Sequence, residues 1–478
     1  MTSPLSHDGL PLELVLAIID RVEDDEDLLL LARASRLLNQ FSLAAFFARN
    51  DFDPAPRSLL LGTSDGSMKH LTGLVASLRT NGASLEHLSY DFGFINHTNH
   101  LIREVRLLRQ FVSKLSTVDR VTLRLATYFT GDPNQWRSES IVLLRTVLQK
   151  SCKNIHITTS QLSSFYEEPK TLRSPKPSEW LNNYWPEEVA PFLKESGHLK
   201  TCFIQTFPTF LRPFYYHTLK CNASTLTDLS FKNIFGGGSD WATMIANIHF
   251  PRLTRLAIIY GVIPRQPLVK FLTKHPNIQE LEYHRIRYDP VPKHPARLSS
   301  AVFEHLRSLV TTPEHILNFF PSMEKMVALT NLSIKIEEKV TSFSALEGAL
   351  KCLAGCVNKI TLTLEVTRTG LGFGVWLNTI MRTGLNSSGR PECRLQCVET
   401  LVMDNGDWGF TDDLILSRLP SWIRLFPALR VLTLKKEASY SALRSHSQST
   451  LDGADSDSDS TLDRLKDACP GIYIEWGP

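Results

Sequence analysis

The chain has 478 residues, 42% hydrophobic and 21% charged, a composition that fits a folded globular protein and excludes a disordered or fibrous one. One compact core is excluded at this length, because cores stop growing beyond roughly 250–300 residues; several domains or a solenoid are expected. A formal net charge of +3 argues against nucleic-acid binding through a broad basic field, and no apolar run reaches the ~18 residues of a membrane span.

The opening MTSPLSHDGLPLEL has no basic segment ahead of its apolar stretch, so no secretory signal is expected. The eight cysteines are too scattered for a disulfide framework and read as reduced thiols of the cytoplasm or nucleus. Asn-x-Ser/Thr matches at Asn96, Asn222, Asn331 and Asn386 then carry no meaning as glycosylation sites.

Residues 5–50 read as a three-helix module. Pro11 suits the first turn of a helix, where its missing N–H costs nothing. Leu12, Val15, Leu16, Ile19 and Val22 recur at helical spacing, and Leu14 and Ile18 add a second apolar flank. Glu23 to Asp27 form an acidic break, with Asp25 or Asp27 placed to cap the next helix. Leu28 to Leu31 make that helix apolar all round, which predicts cover on several sides. Ser42 is placed to cap a third helix carrying Leu43, Phe46 and Phe47. So short and apolar a module has surface to spare beyond its own core.

This stretch resembles an F-box through Leu10-Pro11, Glu13, Ile18 and Val22, Asp27-Leu28 and Ala34-Ser35-Arg36. It differs from the family pattern at Ala34, at Leu37-Leu38 where an aromatic is common, and in an inter-helix turn without Pro. The resemblance implies docking on the Skp-type adaptor of a cullin-based ubiquitin ligase, an amphipathic helix-in-groove contact. The partner-facing residues would be Leu10, Pro11, Glu13, Leu14, Ile18, Leu28, Leu29, Leu31, Ser35 and Arg36. Phe46 and Phe47 are expected to face the first repeat. A plain three-helix cap on a solenoid is the alternative.

Residues 51–80 read as a connecting segment, and residues 81–478 as a repetitive body. There a pattern recurs: apolar, two variable, apolar, one variable, apolar. It reads LEHLSY at Leu85, VDRVTL at Val118, CKNIHI at Cys152, LKTCFI at Leu199, LTDLSF at Leu226 and LTRLAI at Leu253. It continues with IQELEY at Ile278, LTNLSI at Leu329, VNKITL at Val357, VETLVM at Val398, LRVLTL at Leu429 and CPGIYI at Cys469. Successive starts from Leu199 to Ile278 lie 27, 27 and 25 residues apart, inside the 20–29 range of leucine-rich repeats. A longer gap before Leu329 leaves room for a degenerate copy near Phe303–Val310.

Alternation within each match predicts a strand. Between matches, amphipathic stretches predict helices over Leu101–Leu115, Ile141–Gln149, Leu268–Leu272, Pro313–Phe320, Leu346–Leu353 and Leu414–Phe426. Pro251, Pro276, Pro427 and Pro470 stop the preceding helices. The expected fold class is α/β: the helical module, then an irregular leucine-rich-repeat-like solenoid of about 12 short parallel strands with helices on the outer face. A mixed α/β body of separate domains is the alternative. The repeats lack a regular Asn or Cys ladder.

The positions between the apolar anchors would line the concave face. They show no dominant sign, which suits a protein partner better than a polyanion. Arg124, His156, Phe203, Lys232, Glu282, His284 and Lys335 are the candidate substrate contacts.

Three stretches break the rhythm: the turn-rich loop Thr130–Ser138, the Pro- and Trp-bearing Gln161–Pro191, and residues 436–460. The last ends in DGADSDSDS and reads as a disordered Ser/Asp-rich insert, with Ser456, Ser458 and Ser460 in an acidic context that phosphorylation would make more negative.

Catalytic and metal patterns are weak. Gly370, Gly372 and Gly374 follow a strand, but the third falls one residue short of the dinucleotide fingerprint and no Walker lysine follows. Gly236–Gly238 is a weaker signal still. Cys352/Cys356 and Cys393/Cys397 form two CxxxC pairs at equivalent places ahead of two repeat strands, and read as small core residues before zinc ligands. No cofactor or metal is expected, and no nucleic acid or membrane partner. The expected function is a non-catalytic substrate-recognition subunit of an SCF-type ligase, bound to the adaptor, through it to a cullin, and to a protein substrate. A leucine-rich-repeat scaffold with no ligase role is the alternative.

Overall fold

The computed structural model describes residues 11–53, 57–62, 65–93, 98–126, 133–159, 197–205, 211–234, 247–263, 265–287, 298, 300–320, 323–336, 344–366, 376, 395–404, 413–435, 463 and 465–477. Outside these lie Leu10, most of the Thr130–Ser138 loop's first half, the Gln161–Pro191 stretch, Gly236–Gly238, Gly370 to Gly374, Cys393 and the 436–460 insert.

The module forms α1 (Leu12–Arg21), α2 (Asp25–Ala34) and α3 (Arg36–Arg49), as the apolar spacing predicts. Pro11 stands just before α1, and its carbonyl oxygen accepts from Leu14 N at 3.0 Å and Val15 N at 3.1 Å. Both expected caps are corrected. Asp24, rather than Asp25 or Asp27, caps α2 by accepting from Glu26 N at 2.8 Å. Ser35, rather than Ser42, caps α3 by accepting from Leu38 N at 3.2 Å, and Ser42 is buried inside the helix. The run Arg36–Phe41 holds no helix breaker, so the helix starts at the earlier serine, whose extended backbone lets its hydroxyl reach the free N–H groups.

Val15, Ile19, Leu28, Leu29, Ala32, Leu43, Phe46 and Phe47 form the module's core. Arg49 closes it, donating from Nη1 to the Glu23 carbonyl at 2.9 Å and from Nη2 to the Val22 carbonyl at 2.7 Å.

The chain divides into two compact units, Met1–Leu226 and Thr227–Pro478. In the first, β1 (Ser58–Leu61), β2 (Ser84–Asp91), β3 (Thr117–Leu125), β4 (Asn154–Thr159) and β5 (Thr201–Gln205) pair in chain order, all parallel. The helices α4 (Asp65–Ala76), α5 (Thr98–Lys114) and α6 (Pro133–Leu148) each follow a strand, and α7 (Arg212–Cys221) follows β5.

In the second unit the strands are β6 (Asp228–Ile234), β7 (Arg255–Val262), β8 (Glu280–Arg287), β9 (Ser308–Thr311) and β10 (Asn331–Ile336). Then come β11 (Ile360–Val366), β12 (Val398–Asp404), β13 (Val431–Lys435) and β14 (Tyr473–Gly477). These too pair in chain order and parallel. The intervening helices include α8 (Arg265–Lys274), α9 (Pro313–Phe319), α10 (Ser344–Leu353) and α11 (Asp413–Ile423). Each unit is therefore an α/β, solenoid-like stack, since parallel neighbours in strict chain order require one crossover per strand.

Every one of the pattern matches yields a strand, and the degenerate copy near Phe303–Val310 yields β9. Two features differ from the sequence reading. Residues 51–80, read as a connector, already hold β1 and α4, because SLLL is too short to show a period. Pro133 to Ser138, read as loop, open α6: Pro133 suits a first turn, and Trp136 is fully buried against Phe92 at a ring distance of 5.8 Å.

The missing Asn ladder has a mixed substitute. Lys114, at the end of α5, donates to the Val75 carbonyl at the end of α4. One repeat later Lys150 donates to the Ser113 and Leu115 carbonyls at 2.7 and 2.6 Å. Asn222 is fully buried after α7, accepting from Leu199 N at 3.1 Å and donating to Thr218 O at 2.8 Å. In the second unit buried His275 accepts from Phe250 N at 2.9 Å. Each side chain satisfies backbone groups left free in a neighbouring turn, so the role persists while the residue type changes.

Candidate partner-binding surfaces

The first surface is the outer side of the module. Val15 and Ile19 are the buried stripe of α1. On one flank Leu14 and Ile18 lie one turn apart and are each 51% exposed; on the other, Leu12 and Leu16 are also exposed. On α2 Leu30 is 60% exposed, and Leu37 on α3 is exposed as well. These six apolar side chains belong to three helices whose own core is complete without them. Pro11, Glu13, Ser35 and Arg36 are exposed at the rim. Ser35 already serves as the α3 cap, so its hydroxyl has a structural task there.

Two of the expected contacts are corrected by packing. Leu28 is fully buried and Leu29 nearly so, both inside the module. Leu31 is half-buried. Four consecutive leucines cannot all face outward, since successive helix residues turn by about 100°. The residue the sequence reading passed over is Leu30. Its helical spacing from Asp27 and Ala34, both exposed, was the available signal.

Phe46 and Phe47 turn away from this surface, as expected. They pack edge to face at 5.3 Å and touch α4 at Gly73, where an added Cβ would meet Phe46 Cε1 at 2.7 Å. Between α2, α4 and α5 runs a cleft of 370 Å³ lined by Leu29, Leu30, Arg33, Lys69, His100 and Arg103 among others.

The second surface is the face of the strands opposite the buried apolar ladder. In the first unit Arg124, His156 and Phe203, and in the second Lys232, Glu282 and Lys335, lie on that side of their strands next to buried residues such as Leu123, Ile157, Phe231, Tyr283 and Ile334. His284 lies on the same side of β8 as Glu282 but is itself buried, so that expected contact is corrected. In the first unit Arg124 pairs with Asp91 at 3.1 Å, and His156 meets Phe203 edge to face at 4.0 Å on adjacent strands.

In the second unit the face carries a charge ladder. Lys335 lies 3.2 Å from Glu365 and 3.9 Å from Glu282, and Lys435 lies 3.5 Å from Asp404. His284 Nε2 is 2.9 Å from Glu282 Oε1, and that hydrogen bond, ahead of burial acting the other way, holds the Glu282 carboxyl below its ordinary value. His284 is nearly covered, beside the Tyr260 ring at 6.5 Å. Tyr260 and Asn233, opposite one another on β7 and β6, both have left-handed φ, of 54° and 56°. Lys232, next to Asn233, is half-exposed. Opposite charges on neighbouring strands neutralise each other, so the face has no long-range pull on an anion and suits a polar protein surface.

Among the described residues no group of three or more His, Cys, Asp or Glu side chains could hold a metal ion, and no helix is long and apolar enough to cross a membrane. No family model matches the chain, and no curated protein matches it.

Proposed function

We propose that this protein is the substrate-recognition subunit of a cullin-based, SCF-type ubiquitin ligase, working in the cytoplasm or nucleus. The N-terminal module is an F-box that docks on a Skp-type adaptor, and the leucine-rich-repeat-like stacks carry the face that binds a protein substrate. The chain itself is non-catalytic. Its contribution is proximity, holding the substrate near the ubiquitin transferred by other subunits.

One observation carries this reading: Leu14 and Ile18 on α1 and Leu30 on α2 are more than half exposed in a module whose own core is closed. A row of exposed aliphatic side chains on short helices is suited to a groove on a helical partner. The resemblance through Leu10-Pro11, Glu13, Asp27-Leu28 and Ser35-Arg36 names that partner as the adaptor.

The test is affinity capture of the intact protein with a Skp-type adaptor and a cullin. Recovery of both, lost in a Leu14→Glu/Ile18→Glu variant whose circular dichroism is unchanged, supports the reading. Failure of the intact, folded protein to recover either leaves a repeat scaffold with no ligase role.

A further inference from the structure

Equivalent positions of neighbouring repeats stack on one another in a solenoid. Cys356 and Cys397 belong to neighbouring repeats, Cys356 in the turn after α10, four residues ahead of β11, and Cys397 immediately ahead of β12. By apolar spacing Val357 should be the inward anchor, yet Val357 is 77% exposed and Cys356 is buried in its place. The β11–β12 register accommodates this with an irregularity between Ile360 and Thr361.

Backbone geometry fixes the two cysteines together. The Leu353 carbonyl, at the end of α10, accepts the Cys356 backbone N–H at 2.9 Å and the Cys397 thiol at 3.3 Å. The Ile360 N–H returns the contact, donating to the Cys397 carbonyl at 2.8 Å. The carbonyl they share places the Cys397 sulfur beside the Cys356 backbone, and the Cys356 thiol faces the Asn358 carbonyl at 3.9 Å. The neighbour of Cys356 is thus not only Cys352, in the last turn of α10, but also a cysteine of the next repeat.

This pairing makes the two sulfurs unequal. Once Cys356 is ionised, a hydrogen bond from the Cys397 S–H to its sulfur, in place of the one to Leu353, lowers the Cys356 thiol to about 7 against the effect of burial, while the same bond and burial push Cys397 up. A thiolate beside an intact thiol is the arrangement in which one sulfur is oxidised and the other resolves it.

We propose that Cys356 and Cys397 are a redox site that closes to a disulfide on reaction with hydrogen peroxide. The Cys356 sulfur attacks one peroxide oxygen and the O–O bond breaks. Net, the Cys356 thiol proton leaves with the released hydroxide as water, and Cys356 becomes a sulfenic acid. The Cys397 sulfur then attacks that sulfur; the S–S bond forms, the S–O bond breaks, and the Cys397 thiol proton leaves with hydroxide as a second water. The two thiols lose two electrons and the peroxide gains them. The link ties the end of α10 to the head of β12, and a thiol reductant reopens it. This site is independent of adaptor docking.

The test uses the full chain treated with hydrogen peroxide, alkylated, digested without reductant and mapped by mass spectrometry. The expected product joins the peptides of Cys356 and Cys397 with the loss of two hydrogens, and dithiothreitol restores both thiols. The Cys352→Ser variant keeps the link, and Cys356→Ser and Cys397→Ser each lose it. A wild-type map in which Cys356 and Cys397 stay free thiols, or in which Cys356 links to Cys352 instead, overturns the proposal. The wild-type map decides alone, so a serine variant that fails to fold does not blunt the test.

Discussion

Asn39 on α3 donates to the Ala76 carbonyl at the end of α4 at 2.9 Å, and so binds the helical module to the first repeat. The same amide donates to the Ala32 carbonyl at 2.8 Å and accepts from Leu78 N at 3.3 Å. Three backbone groups from α2, α4 and the turn after it depend on one buried side chain. Asn39→Ala is expected to destabilise the first unit by about 2–4 kcal/mol, because buried backbone groups lose their partners without gaining water. Urea denaturation followed by tryptic cleavage around residues 77–83 reads this; an unchanged midpoint would show the contact to be dispensable.

Gly73 tests the same junction from the other side. An added Cβ would stand 2.7 Å from Phe46 Cε1 and 3.0 Å from Phe47 Cε1, and both rings are buried. In an isolated helix Gly→Ala stabilises by up to about 1 kcal/mol. Here overpacking of about 1–3 kcal/mol opposes that gain. Gly73→Leu is expected to lower the melting temperature clearly, and Gly73→Ala to lower it slightly or leave it. A rise with Gly73→Leu would mean that α4 does not pack on α3.

Leu28 and Leu30 are two residues apart and are expected to behave oppositely. Leu28→Ala empties a core site and costs about 2–5 kcal/mol in stability. Leu30→Ala changes stability by no more than about 0.5 kcal/mol, since it removes only exposed surface. If the module docks as proposed, Leu30→Ala instead weakens adaptor capture. Paired thermal melts and capture assays on the two variants check both outcomes.

Glu104 on α5 is buried, and desolvation raises its carboxyl from 4.5 to about 7, with the Tyr90 hydroxyl offsetting part of the rise. His100 sits 3.6 Å away at the surface. The folded state therefore keeps a proton that the unfolded chain loses. Its contribution is complete below pH 4.5, declines as pH rises to about 7, and is flat above. Glu104→Gln is expected to match the wild type at pH 4 and exceed it by up to about 3 kcal/mol at pH 8. Denaturation midpoints at the two pH values measure the difference.

His275 gives the opposite slope. Burial lowers it from 6.5 to about 4, with His249 and Lys274 adding to the effect. Its Nε2 accepts from Phe250 N, which requires the neutral ring, while Nδ1 faces the Phe271 carbonyl at 2.6 Å. The unfolded chain takes up a proton below pH 6.5 that the folded state refuses, so the stabilisation is full above that value and is lost as pH falls toward 4. His275→Gln is expected to weaken the second unit at pH 8 by about 1–3 kcal/mol and to flatten its acid dependence. An equally steep acid loss in the variant would assign the titration elsewhere.

Most of the strand plan was legible because each repeat strand alternates apolar and polar residues over enough length to show a period of two. Matches from LEHLSY at Leu85 to CPGIYI at Cys469 all became strands. β1 escaped because four residues, three of them leucine, have no readable period. The three module helices were legible for the same reason in their own period, while their caps slipped by one residue or by seven, since several acids and serines competed for the place.

The sequence by itself determined that this is a small helical module followed by parallel α/β repeats, because periodicity is local and needs no partner to be read. Tertiary structure alone decided which leucine of Leu28–Leu31 faces out, that Cys356 and not Val357 turns inward, and that Lys114, Lys150, Asn222 and His275 do related work. Those outcomes depend on what the next helix or repeat presents at contact distance. A side chain's burial and hydrogen bonds are properties of the pair it forms, and the pair is assembled only when distant segments stack.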